Sequence, residues 1–253
     1  MRIIGGFTLI LALLPVLGAA QEEDPQVVYA YVTYFDCDPA TEARADEIIK
    51  RSYAPHYDAA VEQGDIEGWS WLVHFVGGKW RRVLVLTALN IDDLLDSSGA
   101  LGEIIEETTP EVGRVFSEVC GQHEDYIWQA TPGVDGSSVG DARGDAGFSM
   151  YFKCDIGRED KVDEIVRESL APIYNRYVEE GKLASWVWLQ HLVGGEYRRL
   201  LAIRAADHKS LMKARASILQ ELMERKNQRV LDDFNDICAS HVDYMWDFQI
   251  ETP

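Results

Sequence analysis

The sequence predicts an α+β protein built from one unit written twice, and three observations carry that reading. A constant offset of 117 lays Tyr34-Phe35-Asp36-Cys37-Asp38 on Tyr151-Phe152-Lys153-Cys154-Asp155. It holds without a gap through Ala88, with 26 of the 55 aligned residues identical, far beyond chance for segments this long. An offset of 118 then lays Cys120, His123, Asp125, Tyr126 and Trp128 on Cys238, His241, Asp243, Tyr244 and Trp246. Within each copy, the spacing of apolar residues switches between strand and helix periods in the same order.

The elements follow from local chemistry. Residues 27–36, rich in Val, Tyr and Phe, predict a strand. Asp38-Pro39 then offers a helix cap with proline at the first helical position. Ala45, Ile48, Ile49, Ser52 and His56 form a helical stripe, echoed by Val162, Ile165, Val166, Ser169 and Ile173. A kink or break is expected at Pro55 and Pro172, because proline lacks the amide proton of the helical ladder. Residues 69–76 and 79–88 flank Gly77-Gly78, a pair suited to the positive φ values of a two-residue hairpin turn. Asn90 and Asp207 can cap a second helix, which carries Leu94, Leu95, Ile104 and Ile105 in one copy and Leu211, Ile218, Leu219 and Leu222 in the other. A last strand is expected at about 122–129 and about 240–249. The order β-α-β-β-α-β is the split βαβ, or ferredoxin-like, arrangement. The division expected is a ferredoxin-like repeat at 26–130, a Gly/Ser/Asp linker at 131–145 and a second repeat at 146–250.

Residues 1–20 have the pattern of a signal peptide: Arg2, an apolar run from Phe7 to Leu17, and Gly18-Ala19-Ala20 before the charged Glu22-Glu23-Asp24. The run is too short and too interrupted by Pro15 to span a bilayer, so no membrane span is expected after cleavage, and an extracytoplasmic (periplasmic or secreted) location follows. A formal net charge of -19, spread over helical stretches, repels nucleic acid and anionic lipid, so no nucleic-acid partner is expected.

A four-stranded sheet of order 4-1-3-2 under two helices leaves its other face bare, and Trp and Tyr on that face must be covered. Two such units packed sheet to sheet on one chain would cover each other. The duplicated arrangement resembles the dimeric α/β-barrel superfamily, which includes antibiotic-biosynthesis-type monooxygenases and the EthD-like and NIPSNAP-like families. The resemblance implies an intramolecular barrel and a monomer with an internal pseudo-two-fold axis. Its monooxygenase branch implies cofactor-free oxidation or isomerisation.

In that strand order the end of strand 1 lies beside the start of strand 4, where Cys37 and Cys120 fall, as do Cys154 and Cys238. An exported chain meets oxidising conditions, so disulfides Cys37–Cys120 and Cys154–Cys238 are expected. If Cys37 sits directly opposite Cys120, Tyr34 faces His123 beside Asp125, and Tyr151 faces His241 beside Asp243. This register places Tyr34, His123, Asp125, Tyr151, His241 and Asp243 inside the barrel. A histidine with a carboxylate and a phenol is the material of acid–base catalysis, and equally a set of side chains that satisfy one another's hydrogen bonds.

The hairpin offers a second group. Pairing around Gly77-Gly78 puts His74 and Arg81 on one face and Trp69, Trp71, Trp80 and Arg82 on the other; His191, Arg198, Trp186, Trp188, Tyr197 and Arg199 repeat this. Trp69, Trp71, His74, Arg82, Trp186, Trp188, His191 and Arg199 are the candidate ligand-binding residues, able to clasp a small aromatic or anionic ligand by stacking and charge. The same set can be core plus a stacked arginine, and the residues leave open which hairpin face looks into the barrel. There is no CxxC, HxxxH, GxSxG, HExxH or glycine-rich phosphate loop, so no metal site and no cofactor are expected. Three readings of function stand: an exported small-ligand-binding barrel with one pocket per half, a His/Tyr acid–base enzyme, and an interaction protein with an acidic surface.

Overall fold

The computed structural model describes residues 27–138 and 143–252, so the expected signal peptide lies outside the described residues. Eight strands follow in chain order: β1 (Tyr29–Asp36), β2 (Gly68–Val76), β3 (Arg82–Ala88), β4 (Gln122–Ser137), β5 (Ala146–Lys153), β6 (Ser185–Val193), β7 (Arg199–Ala205) and β8 (Ser240–Glu251). They close into an antiparallel barrel in the order β1-β3-β2-β8-β5-β7-β6-β4. Each half of the chain contributes four neighbouring strands in the expected order 4-1-3-2. The halves meet edge to edge through β2–β8 and β4–β6, rather than as two sheets stacked with free edges. Closure pairs the edge strands, whose open backbone groups would otherwise invite another chain.

Helices sheath the barrel. In the first half α1 (Glu42–Ile48) passes through a π-helical turn (Ile49–Tyr53) into α2 (Ala54–Gln63). The second half repeats this with α5 (Glu159–Ile165), a π turn (Val166–Leu170) and α6 (Ala171–Glu179). The expected kinks at Pro55 and Pro172 are thus absorbed by a wide turn just ahead of each proline, and the helix runs on. The second helix of each copy is two helices: α3 (Ile91–Thr108) with α4 (Pro110–Val119), and α7 (His208–Leu222) with α8 (Gln228–Ile237). Pro110 opens α4 at a position that needs no amide proton. The Asn90 and Asp207 side chains accept from Asp93 N and Ser210 N, as the capping reading expects.

β4 runs eight residues past its expected end. After a bulge between Ala130 and Asp135, it pairs Asp135 with Val187, Gly136 with Trp186 and Ser137 with Ser185. Thr131-Pro132-Gly133 reads locally as a linker, but Gly133, with φ of 67°, and Pro132 serve a bulge where the ladder asks for no amide proton. Residues 131–137 are therefore sheet.

Both expected disulfides are present: Cys37–Cys120 with Cα atoms 3.9 Å apart and Cys154–Cys238 with Cα atoms 4.0 Å apart. The register inferred from them is displaced by one residue. Cys120 is the C-cap of α4 rather than a strand residue, and Gly121 intervenes before β4 begins. β1 and β4 consequently pair Phe35 with His123, Tyr34 with Glu124 and Thr33 with Asp125. β5 and β8 pair Phe152 with His241 and Tyr151 with Val242. A slip of one residue moves every side chain of a strand to the opposite face.

The core has three parts. Two lie between helices and sheet, one per half, around Trp71, Leu94 and Phe116 and around Trp188, Leu211 and Phe234. The third fills part of the barrel interior and draws on both halves: Tyr34, Trp80, Tyr126 and Trp128 with Tyr151, Tyr244 and Trp246.

Candidate functional site

The two ends of the barrel are built differently. At the end carrying the Gly-Gly hairpins, aromatic rings fill the interior. Trp80 stacks between Tyr34, with centroids 4.2 Å apart, and Tyr244, at 5.1 Å. Tyr126 lies flat on Trp128, and Tyr244 on Trp246, each at 5.1 Å. The rings also hold the hairpins across the halves. A Cβ on Gly77 would come within 2.4 Å of Tyr244 Cδ1, and one on Gly194 within 2.7 Å of Tyr126 Cδ1. Those glycines, with φ of 151° and 132°, are needed both for the turn and for close approach to the other half's tyrosine.

Toward the other end the interior is hollow. A cavity of about 600 Å³ lies among the small side chains of β1, β3, β5 and β7, including Ala30, Val32, Val83, Val85, Gly147, Leu200 and Ala202. Its wall is mainly apolar, as binding pockets of this size are. Ser70, Thr87, Thr131, Ser137 and Ser185 add hydroxyls along the strands, and further polar groups lie at the cavity's two ends. On the floor, against the aromatic cluster, are the Tyr34 and Tyr151 hydroxyls and Ser149, whose Oγ accepts from Trp246 Nε1 at 3.2 Å. Burial pushes both tyrosine hydroxyls well up, and each is affected by the other, so both phenols stay protonated across the neutral range. At the mouth are Asp135 and Arg204. Loss of hydration raises the Asp135 carboxyl from its usual range, although the residue as a whole is exposed. Arg204 is already engaged: it donates to Glu251 at 2.8 and 3.0 Å, and its guanidinium lies 3.6 Å over the Phe248 ring.

The structure separates the residues expected to act together. Tyr34 and Tyr151 are inside the barrel as expected, with their rings edge to face at 5.5 Å. His123, Asp125, His241 and Asp243 are on the outer face instead, because of the one-residue register change. His123 Nε2 lies 3.3 Å from Asp125 Oδ2, and His241 Nε2 3.5 Å from Asp243 Oδ1, at the protein surface. Arg215 also approaches Asp243, at 3.3 Å. The His–Asp pairs exist, but the phenols are on the other side of the sheet.

The hairpin residues also lie elsewhere than expected. Even-numbered β2 residues and odd-numbered β3 residues look into the barrel, so Trp69, Trp71 and Arg82 face the helices, as do Trp186, Trp188 and Arg199. There Arg82 makes a bidentate bond to Asp46, at 2.6 and 2.7 Å, and Arg199 one to Asp163, at 2.7 and 2.8 Å. Trp71 Nε1 and Trp188 Nε1 donate to the same two carboxylates, and Trp69 Nε1 and Trp186 Nε1 to Asp58 and Asn175. Their polar atoms are spent within the protein. Of the eight candidate ligand-binding residues, Trp186 alone also lines the cavity, near its mouth. Trp80, expected beside Trp69 and Trp71, precedes β3 and turns inward onto Tyr34.

His74 and His191 sit at the filled end, their Nδ1 atoms 2.7 and 2.6 Å from Arg81 and Arg198. Burial, and then the neighbouring guanidinium, lowers both imidazoles below their ordinary value. Arg81 in turn donates to Glu42, and Arg198 to Glu159. Glu42/Asp46 and Glu159/Asp163 are carboxylate pairs four apart on the first helix of each copy, opposite consecutive arginines. That repeated spacing was available in the sequence as a sign of an internal ion network. Ser149 and Arg204 had no such sign, since the first copy holds Val32 and Thr87 in their places.

No family model matches the sequence, and no curated protein matches it. Solved structures do. An anthrone oxidase-like protein superposes with a TM-score of 0.56 at 12% identity, covering 90% of this chain and 93% of its own. A proposed monooxygenase of Lactobacillus acidophilus gives 0.56 at 5% identity, covering 89% and 96%. Another, from Fusobacterium nucleatum, gives 0.55 at 9% identity, covering 91% and 95%. With its closed eight-stranded antiparallel sheet, outer helices and these structural likenesses, the chain has the fold of the dimeric α/β-barrel superfamily, with no family within it assigned.

Proposed function

We propose that the protein is an exported barrel of two tandem ferredoxin-like units that binds one flat, largely apolar small molecule in the cavity shared by its halves. One observation carries the reading: a cavity of about 600 Å³ with an apolar wall and a few convergent hydroxyls, inside a sheet whose remaining interior is tightly filled. A single shared cavity replaces the expectation of one pocket per half. The two disulfides agree with export. Melting the protein with a panel of planar aromatic compounds tests the reading: a binder at a hundred times its Kd raises stability by about 2.7 kcal/mol. Ala202→Trp, which fills the cavity, is expected to abolish that shift. A shift that survives the substitution would place binding elsewhere, and no shift with any compound would refute the reading.

A second reading, oxidation of the bound molecule, is favoured by the likeness to an anthrone oxidase-like protein and proposed monooxygenases. On this reading Tyr34 and Tyr151, not the surface histidines, touch the substrate, and the Asp135 carboxyl at the mouth can exchange a proton with solvent. Oxygen uptake with a phenolic or anthrone-type substrate, lost in Tyr151→Phe and retained in His123→Ala/His241→Ala, would support it. Equal loss in both variants would count against this assignment.

A further inference from the structure

We infer that the cavity is built for a cationic amphiphile: a flat apolar body lies within the barrel, and a protonated amine at its end pairs with the Asp135 carboxylate at the rim. This rests on the reading of the cavity as a ligand site and adds the charge that the ligand must carry.

The direction of Asp135 follows from the register. Beyond its bulge β4 sets Asp135 opposite Val187, Gly136 opposite Trp186 and Ser137 opposite Ser185. Residues directly opposite one another in an antiparallel pair project to the same face. Val187 and Ser185 line the cavity, so Asp135 and Ser137 point inward with them. Gly136 is the position that turns outward with Trp186, where a Cβ would come within 2.5 Å of Asn175 Oδ1. The strand segment that reads locally as a linker thus carries a carboxylate onto the interior face, just inside the mouth.

Among the described residues that line the cavity, Asp135 and Arg204 are the charged ones. Arg204 is directly opposite Ser185 on β7, two strands from β4, and its charge is already used. Its Nη1 and Nη2 donate to Glu251, its Nε and Nη2 donate to the Gly144 carbonyl at 3.2 and 2.5 Å, and its flat face lies on Phe248. Those four bonds leave a guanidinium one N–H of its five. The small pocket that adjoins the rim is balanced as well, with Glu67 and Glu251 against Arg143 and Arg204. Asp135 forms no hydrogen bond or ion pair with a described residue, and lost hydration raises its carboxyl with no cation at hand to lower it again. The mouth is therefore left with one uncompensated negative charge, in a chain of net charge -19. It repels an anion and attracts a cation. Below it Val32, Val83, Val85, Leu200 and Ala202 suit a hydrocarbon body.

Three anthracenes substituted at the central ring test this: the aminomethyl, hydroxymethyl and carboxylate compounds, which share one flat body and are positive, neutral and negative at pH 7. Binding is followed by quenching of tryptophan fluorescence in the full mature chain. Asp135→Asn is expected to lower the preference for the amine over the alcohol about three- to tenfold, the worth of one partly exposed ion pair with its hydrogen bond. The alcohol's own affinity should hold, since Asp135 is exposed and supports no other side chain. Comparing ratios between variants cancels the ligands' different hydration. Added salt should weaken the amine and spare the alcohol. A preference unchanged in Asp135→Asn would overturn the inference, and so would tighter binding of the carboxylate than of the alcohol by wild type, which would make Arg204 the anchor. Either result leaves the cavity a binding site. Failure of all three compounds to bind wild type would overturn the cavity reading and this inference with it.

Discussion

Between helices and sheet the two halves of the molecule are nearly the same; inside the barrel, at the hollow end, they are not. The outer layers share Arg82–Asp46 and Arg199–Asp163, the indole bonds from Trp71 and Trp188, the π turns and the disulfides. The hollow end sets Val32 against Ser149, Ser70 against Val187, Thr87 against Arg204 and Ala130 against Phe248. Shell positions are held by mutual packing and by charges that must remain paired once buried, so most changes there are penalised. Cavity positions touch few neighbours and can differ without loss of fold. A barrel closed within one chain is free to make its cavity asymmetric, which two identical subunits related by symmetry cannot do.

Five measurements bear on this difference between shell and cavity. The largest effect is expected in the shell. Asp163→Ala would leave Arg199, which is 3% exposed, with Glu159 as its one remaining carboxylate and take the acceptor from Trp188 Nε1 and Gln190 Nε2, at a cost of about 3–5 kcal/mol in urea unfolding. Asp46→Ala should cost less, because the Asp46 side chain is more open, 13% against 5%. Equal costs would mean that the two shells are equally sealed. Next, removing either disulfide as a Cys→Ser pair is expected to cost about 2–4 kcal/mol, with little difference between halves, since the sequence separations are 83 and 84.

Gly77→Ala and Gly194→Ala come third, at about 1–3 kcal/mol each, from the strained φ and the clash with the opposite half's tyrosine. Gly77→Ala should cost less in a Tyr244→Ala background than in wild type, a coupling that a turn effect alone would not produce. Fourth, Ser149→Val leaves Trp246 Nε1 without an acceptor and should cost about 1–3 kcal/mol. Val32→Ser, which offers Trp128 Nε1 an acceptor it lacks, should change stability by less than about 1 kcal/mol.

The smallest effect is on pH dependence. His74 and His191 have folded values below the ordinary 6.5, so the unfolded chain binds protons first and stability falls as pH drops below 6.5. Glu42 is lowered by the bond from Arg81. At Glu159 burial pushes upward, and Arg198 with Arg199 outweighs it. Both glutamates therefore contribute stability above pH 4.5 that is lost as pH falls through their depressed values. His74→Gln/His191→Gln should flatten the loss between pH 7 and 5 and leave the fall below 4.5 in place.

The duplication, the strand order, the cap residues, the Gly-Gly turns and both disulfide pairings were legible in the sequence, because each rests on residues near in sequence or matched in both copies. The hairpin pairing was legible as well: Val73 opposite Arg82 follows from counting outward from the turn. What misled was a count begun at a disulfide. Cys120 ends a helix, and the one residue between it and β4 exchanged the inside of the barrel for the outside, taking His123 and His241 to the surface. Thr131-Pro132-Gly133 misled in the same way, since a bulge within a strand and a linker use the same residues.

Most strands and helices, their repetition and the cysteine pairings could be read from the amino-acid order alone, since these depend on local stereochemistry and on a repeat that can be aligned by eye. Which face of each strand is the interior emerged from the assembled barrel, as did the filling of one end by rings from both halves and the hollow at the other. The physical reason is that a side chain's face depends on register, and register is settled by the best joint packing of all eight strands rather than by any one of them.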